Sequence, residues 1–281
     1  MYENRNDTLV ELWERYSSLL WEDSKHKEAC GTYIDEIHRF MLKSGHKNYD
    51  NVLLDKLTVH FRQKGNRNST INRKFASLSK ILRKHHRNGE LGRLPEFKKL
   101  PERNARIRFF TPDEEQNMLN ELEEIDPHYA QLSRFLVESG ARIGEALKLN
   151  WCDIDGDYVT FWETKSSQPR TIPLSERARK VIAEQRKKRS RKSGPFQDIP
   201  YYKFRGGWNS AKERTHMRDD RNVVPHVLRH TCASRLAQSG VDIKRIQEFL
   251  GHRTLSMTLR YAHLSPKHLD VCAEALNNFK S

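Results

Sequence analysis

Residues 226–264 read HVLRHTCASRLAQSGVDIKRIQEFLGHRTLSMTLRYAHL. This segment contains four His, five Arg and one Tyr among apolar residues that recur at helical spacing. Gly240 and Gly251 are expected to end two successive helices, because glycine readily adopts the left-handed conformation that closes a helix. His226 and Arg229 lie three residues apart, so they share one helix face. The segment therefore predicts helices that bring imidazole, guanidinium and phenol groups together.

The chemistry of these groups points to phosphoryl transfer. Arginine offers a planar fork of donors that matches phosphate geometry, and it stays charged. The phenol of Tyr261 can attack phosphorus and form a phosphotyrosyl ester, which conserves bond energy for rejoining without ATP. A free phenol titrates near ~10, so it needs a base or cationic neighbours to attack at neutral pH. His226 is the predicted proton acceptor, and no cofactor is predicted.

A metal site is the alternative interpretation of His226 and His230, which lie four residues apart. A zinc helix of the HExxH type carries a glutamate directly after its first histidine, whereas here Val227 and Leu228 follow His226. We therefore predict no bound metal.

Composition favours a polyanion as partner. The 281-residue chain has a formal net charge of +14 and a sequence pI near 9.7, which favours nucleic acid first and an anionic membrane surface second. The four cysteines lie far apart, as expected for reduced thiols. The N-terminus lacks the pattern of a secretory signal, and no apolar run approaches the ~18 residues of a membrane span. We expect a cytoplasmic, DNA-associated protein.

Helical periodicity and linker composition predict two domains. Apolar residues recur at helical intervals in four segments, which indicates a helical bundle over residues 1–94. Residues 95–108 are predicted to form a basic interdomain linker. The second domain spans residues 109–281 and opens at Thr111-Pro112 with an N-cap and a proline at the first helical position. Its C-terminal tail is predicted to begin at about residue 265.

A β-hairpin is predicted within the otherwise helical second domain. The β-rich runs Tyr158–Trp162 and Arg170–Leu174 flank a polar segment, residues 164–169. That arrangement places Lys165 at the hairpin tip. The predicted fold class is therefore mainly α with a small antiparallel β-hairpin or sheet.

Basic residues dominate residues 60–108, where only Glu90, Glu96 and Glu102 are acidic. One interpretation is a solvated helix face followed by a basic linker. Such a one-sided charge balance repels itself, so we favour a surface that faces DNA. The predicted DNA-binding residues are Arg62, Lys64, Arg67, Arg73, Lys74, Lys80, Arg83 and Lys84.

Several motifs resemble those of the tyrosine recombinases, the phage-integrase family. Three segments resemble the C-terminal signature of that family: His226–Thr231, Leu250–His252 and Thr258–His263. Upstream, residues 139–149 (SGARIGEALKL) look like its first-arginine motif, and residues 164–174 (TKSSQPRTIPL) look like its lysine hairpin. Residues 69–78 are similar, more weakly, to its helical domain that binds the core DNA site.

The resemblance implies that the catalytic residues are Arg142, Lys165, His226, Arg229, His252 and Tyr261. In that scheme Arg142 and Arg229 hold the non-bridging phosphate oxygens, and Lys165 protonates the leaving 5′ oxygen. Glu145 and His230 are expected to support the site.

The activity implied by the resemblance is site-specific recombination or integration of DNA. It proceeds through a 3′-phosphotyrosyl intermediate and a four-way junction on double-stranded DNA with a specific core site. The implied assembly is a homotetramer on DNA, joined through the C-terminal tail, of a simple two-domain recombinase without an arm-binding domain. Accessory DNA-bending or directionality proteins are further implied partners. The alternatives are a DNA topoisomerase with the same chemistry and a DNA-binding accessory protein without catalysis.

Overall fold

The computed structural model describes residues 7–102, 107–162, 169–187, 193–265 and 276–278. The chain divides into two compact units, residues 1–105 and 106–281. Within the described ranges, helices dominate and the strands form one small antiparallel sheet, so the predicted fold class is confirmed. No helix in these ranges has the length and apolar character needed to cross a bilayer.

The part of the first unit that the structure describes contains four helices: α1 (Leu9–Leu20), α2 (Lys25–Ser44), α3 (Asn51–Gln63) and α4 (Asn68–Arg87). The four helical segments predicted from periodicity are thereby confirmed. Thr8 and Glu11 form a capping box at the start of α1, and Gly45 closes α2 in the left-handed conformation. The apolar faces of these helices enclose one core, in which Phe61 and Leu78 are fully buried.

The segment after α4 is extended and packs on the same core. Leu94, Phe97 and Leu100 contact the core with partly buried side chains. The amide of Asn72 donates to the Leu100 carbonyl at 2.9 Å and accepts from the Leu100 backbone N–H at 2.9 Å. Asn72 therefore holds this segment against α4.

Helices also dominate the second unit: α5 (Pro112–Ile125), α6 (Pro127–Ser139), α7 (Ile143–Lys148), α8 (Glu176–Lys187), α9 (Tyr201–Glu213), α10 (Val227–Gln238), α11 (Ile243–Leu250) and α12 (Ser256–Leu259). The predicted start of α5 is confirmed by the Thr111–Glu114 capping box. Gly140 closes α6 with φ 59°, and there the backbone meets α11 closely. A Cβ on Gly140 would lie 2.5 Å from the Leu250 side chain.

The sheet comprises β1 (Ile154–Asp155), β2 (Tyr158–Phe161) and β3 (Arg170–Pro173) in the order β1-β2-β3. The two predicted strands of the hairpin are confirmed, with Phe161 opposite Arg170, and β1 is an addition that the sequence did not predict. Lys165 lies outside the described residues. So do residues 266–275 and 279–281, which include most of the predicted tail.

Candidate active site

Arg229 lies at the centre of the site. The residue is 3% exposed on α10, and its guanidinium donates at 2.6 Å to two backbone carbonyls, those of Gly140 and Leu250. Burial, together with the neighbouring charges of Arg142 and Arg170, lowers the pKa of Arg229 to about 9. The group is therefore still cationic at neutral pH, and carbonyl dipoles rather than a carboxylate hold it.

Arg142 is oriented by Glu145, one turn further along the chain. Glu145 is 8% exposed; one of its oxygens accepts from Arg142 Nη1 at 2.7 Å, and the other accepts from the Arg142 backbone N–H at 2.9 Å. Arg142 Nη2 also donates to the Gly251 carbonyl at 3.3 Å. Burial acts to raise the pKa of the Glu145 carboxyl, but the bonds from Arg170 and Arg142 lower it overall. Glu145 is therefore an anion that fixes a guanidinium.

Arg170 is part of the site but was missed by the sequence analysis. Its Nη2 donates to Glu145 at 2.7 Å, its Nε donates to the Phe249 carbonyl at 3.2 Å, and its guanidinium lies 4.6 Å from the centre of the Phe161 ring. Within the described part of the chain, its Nη1 has no hydrogen-bond partner. The signal was present in the alternation of β3, where Arg170 and Ile172 occupy the buried positions. An inward-facing charge on a strand requires a partner.

Gly251 allows the close contact between β3 and the end of α11. It closes α11 with φ 64°, and a Cβ there would lie 2.8 Å from the Arg170 side chain. Both the backbone conformation and the packing therefore require glycine at this position. Its carbonyl is the one that Arg142 reaches, and His252 follows directly.

Tyr261 is buried, with 1% exposure, in a cluster that includes Cys232, Ile246 and Leu250. Its hydroxyl lies 2.6 Å from Nδ1 of His230. Burial raises the pKa of Tyr261, and the positive charges of Arg260 and Arg229 offset part of this rise.

Tyr261 lies just after a short helix rather than within one. Helix α12 has Leu255 at its N-cap and ends at Leu259, so Tyr261 follows the helix. The hydroxyl of Thr254 lies 2.9 Å from the hydroxyl of Ser256.

Three imidazoles complete the site. The exposed ring of His226 meets the ring of His230 edge to face, with centroids 4.8 Å apart. Nδ1 of His252 lies 2.9 Å from the Thr258 hydroxyl. Burial lowers the pKa of His252 to about 3. The charges of Arg229 and Arg142, and then those of the other imidazoles, act in the same direction. The charges of Arg229, Arg142, His230 and His226 therefore all act on His252, and Tyr261 interacts with Arg229 and His230. Lys165 lies outside the described residues.

The predicted DNA-binding residues belong to the first unit and differ in exposure. Lys74 is buried, with 4% exposure, unlike the other predicted DNA-binding residues. Its ammonium pairs with Glu36 at 2.5 Å and lies 4.0 Å from the centre of the Phe61 ring. Its side chain is turned into the core, so it is not available to a phosphate. The exposed members are Arg62, Lys64, Arg67, Arg73, Lys80 and Arg83, and Lys84 is half-buried.

Two of the exposed lysines also have partners within the first unit. Lys64 pairs with Glu36 at 3.0 Å. Lys80 donates to the Leu20 carbonyl and stands 4.4 Å from the centre of the Trp21 ring. A role in DNA binding would require each of these ammonium groups to exchange or share its partner.

Comparisons with known proteins give matches of sequence and of fold. The sequence model of the phage integrase family matches residues 108–268. The integrase of Haemophilus phage HP1 is 32% identical over 209 residues, covering 72% of this chain and 58% of that protein. Tyrosine recombinase XerC of Anoxybacillus flavithermus is 26% identical over 291 residues, covering 95% of this chain and 96% of that protein.

A similar fold occurs in a solved structure of a lambda integrase tetramer bound to a Holliday junction. The TM-score is 0.74 at 17% identity, covering 91% of this chain and 77% of that chain. The present chain spans about half the length of the phage integrases that it matches among curated proteins. The family match covers more than half of the chain and includes every described residue of the site, so the chain belongs to the phage integrase family.

Proposed function

We propose that this protein is a site-specific DNA recombinase that cleaves and rejoins DNA through a 3′-phosphotyrosyl intermediate and a four-way junction. The observation that carries the proposal is the buried hydroxyl of Tyr261 held among cationic groups. The cations Arg229 and Arg142 come from separate segments, α10 and the start of α7, and the imidazole of His252 follows the end of α11. Family membership supports the assignment.

The two arginines are suited to stabilising a phosphorane-like transition state. Arg142 is fixed by Glu145 and Arg229 by two carbonyls, so both guanidinium groups are preorganised before the substrate arrives. The charge that develops on the non-bridging oxygens would meet cations that need no rearrangement. Loss of one such donor costs about 3 to 4 kcal/mol of barrier in a comparable oxyanion site.

The remaining groups have roles in proton transfer and phosphate binding. In the cleavage step the Tyr261 oxygen forms a bond to phosphorus, and the bond from phosphorus to the 5′ oxygen breaks. Lys165 donates a proton to that leaving oxygen, and His252 donates a hydrogen bond to the phosphate. His226 assists proton transfer. No metal or cofactor enters these steps.

DNA binding is assigned to both units. In the first unit, the phosphates of a core site are contacted by the predicted basic residues other than Lys74. These are Arg62, Lys64, Arg67, Arg73, Lys80, Arg83 and Lys84. The fold shared with a lambda integrase tetramer on a Holliday junction supports a homotetramer on DNA, joined through the C-terminal tail. The protein would act in the cytoplasm of a bacterial or phage-infected cell, with accessory DNA-bending or directionality proteins.

A plasmid assay tests the proposal. Supercoiled plasmids carrying two copies of the DNA that flanks the protein's own gene are incubated with the protein in EDTA. A recombinase gives deletion or inversion products that depend on the two copies. Relaxation of any plasmid regardless of sequence would instead identify a topoisomerase, and an unchanged plasmid bound by the protein would identify a DNA-binding protein without catalysis.

A further inference from the structure

The imidazole that contacts the nucleophile is not the one predicted from the sequence. The Tyr261 hydroxyl lies 2.6 Å from Nδ1 of His230, which is within the range of a strong O–H to N hydrogen bond. His226 contacts the ring of His230 edge to face. The described geometry therefore places His230 between the predicted proton acceptor and the phenol.

The surroundings of His230 keep its ring unprotonated at rest. Burial is the main cause, and the charges of His226, Arg260 and Arg229 act in the same direction, so the pKa of His230 falls to about 3. These charges come from α10 itself and from the segment after α12, and His252 faces the same group of side chains. A neutral ring that accepts the phenolic hydrogen at Nδ1 carries its own hydrogen at Nε2.

Building on the function proposed above, we propose that His230 is the catalytic residue that accepts the Tyr261 proton during cleavage and returns it during rejoining. As the phenolic oxygen bonds to phosphorus, its O–H bond breaks and the proton moves to Nδ1 of His230. The 5′ oxygen leaves with a proton from Lys165. In rejoining, a 5′ hydroxyl attacks phosphorus and gives its proton back to Lys165. The bond from phosphorus to the Tyr261 oxygen breaks, and Tyr261 leaves with the proton stored on His230.

The bound phosphate would strengthen this base. A phosphodiester brings a negative charge into a site where the charges of His226, Arg260 and Arg229 weaken the basicity of His230. An anion near an imidazole raises its pKa, because it favours the protonated form. The proton acceptor would therefore become effective only when DNA occupies the site. His226 would act on the phenol through His230 rather than by contact.

The test uses His230→Asn with His226→Asn as its matched variant. The amide oxygen of the asparagine introduced in place of His230 can accept the phenolic hydrogen bond but cannot take up a proton. Single-turnover adduct formation is measured on nicked duplexes made from the flanking DNA, with oxygen or sulfur at the 5′ bridging position. A 5′ sulfur leaves without protonation, so it restores a variant that lacks the general acid but not one that lacks the base.

We expect His230→Asn to lower the rate of adduct formation by about 100-fold or more on both substrates, the scale of general base catalysis. Lys165→Ala should be slow with oxygen and restored with sulfur. A His230→Asn rate within about threefold of wild type, or a faster one, would overturn the inference, since a purely structural contact or a restraining contact predicts those results. Restoration of His230→Asn by sulfur would also overturn it.

A second measurement keeps the inference testable if His230→Asn fails to fold. The wild-type rate should fall at low pH as His230 becomes protonated in the DNA complex, and this fall should persist in His226→Asn. Its disappearance in His226→Asn would assign the proton to His226 and overturn the inference. A wild type that forms no adduct on any flanking duplex overturns the proposed function as well, which separates the two failures.

Discussion

Each unit of the protein buries a tyrosine hydroxyl beside a histidine, but the charges around the two pairs are opposite. In the first unit the hydroxyl of Tyr16 lies 3.4 Å from Nδ1 of His85, and a carboxylate oxygen of Glu90 lies 3.5 Å from the same nitrogen. Arg15 completes the cluster by pairing with Glu90 at 2.6 Å. In the second unit the Tyr261 pair is surrounded by cationic groups instead.

The difference separates a structural cluster from a reactive one. The Tyr16 hydroxyl also accepts from Asn88 at 3.1 Å and lies 3.4 Å from Glu90, so its neighbours already balance one another. Near Tyr261, the buried guanidinium of Arg229 donates to two backbone carbonyls and, within the described residues, to no carboxylate. Buried charge without a counter-ion is costly, so we expect an anion such as a phosphodiester to be stabilised when it enters the second cluster.

The largest predicted effect is loss of the covalent DNA adduct, and it distinguishes Tyr261 from Tyr16. Tyr261→Phe should abolish the covalent DNA adduct while leaving DNA affinity almost unchanged, because only the attacking oxygen is removed. Tyr16→Phe should leave the adduct intact and destabilise the first unit by about 1 to 3 kcal/mol, the cost of unsatisfied buried partners. Denaturing gels and thermal unfolding measure the two effects. Normal cleavage by Tyr261→Phe would contradict the mechanism.

The next largest effect is slower cleavage, and it distinguishes Arg229 from Arg15. Arg229→Lys keeps the charge but loses the planar fork that reaches two carbonyls, so we expect cleavage to slow by about 100- to 1000-fold. Arg15→Lys keeps a point charge between two carboxylates and should leave cleavage unchanged. Single-turnover rates on the same nicked duplex decide the matter. Equal rates for the two variants would show that the fork is dispensable.

A smaller effect concerns acid stability. An unfolded histidine titrates near ~6.5, whereas folded His230 titrates at about 3. Its neutral form therefore stabilises the fold fully above pH ~6.5, and this contribution is lost as the pH falls towards 3, because the unfolded chain takes up a proton that the folded chain does not. The stability gap between wild type and His230→Asn should narrow between about pH 7 and 5. A stability difference between the two proteins that does not vary with pH would contradict the lowered pKa of His230.

The smallest effect concerns DNA affinity. Arg73→Ala should weaken binding and reduce the slope of log affinity against log salt by about 1, the loss of one phosphate contact. Lys74→Met should leave that slope unchanged and instead lower thermal stability, because Glu36 loses its buried partner. Titrations at several salt concentrations compare them. An equal reduction of the slope of log affinity against log salt in both variants would show that Lys74 contacts DNA.

Local signals in the sequence were enough to predict most of the fold. Thr111 and Pro112 mark the start of α5, Gly140 marks the end of α6, and the two β-rich runs form β2 and β3 as predicted. Each of these features depends on residues within a few positions of one another, so periodicity and capping rules apply to them directly.

Contacts between distant residues limited the prediction of the site. His226 and His230 lie one turn apart on the same segment, and only the packing of Tyr261, 31 residues later, decides which one meets the phenol. Lys74 belongs to a basic stretch, but its partner Glu36 lies 38 residues earlier. Arg170 donates a hydrogen bond to Glu145, which lies 25 residues earlier in the sequence. Sequence motifs identified the residue types, whereas tertiary packing assigned their contacts.

The most direct test of the central claim is mass spectrometry of the adduct formed on a nicked duplex without metal. We expect a nucleotide linked through its 3′ phosphate to the peptide that carries Tyr261, and no such peptide in Tyr261→Phe. Attachment to any other residue, or through a 5′ phosphate, would show that Tyr261 does not act as the proposed nucleophile.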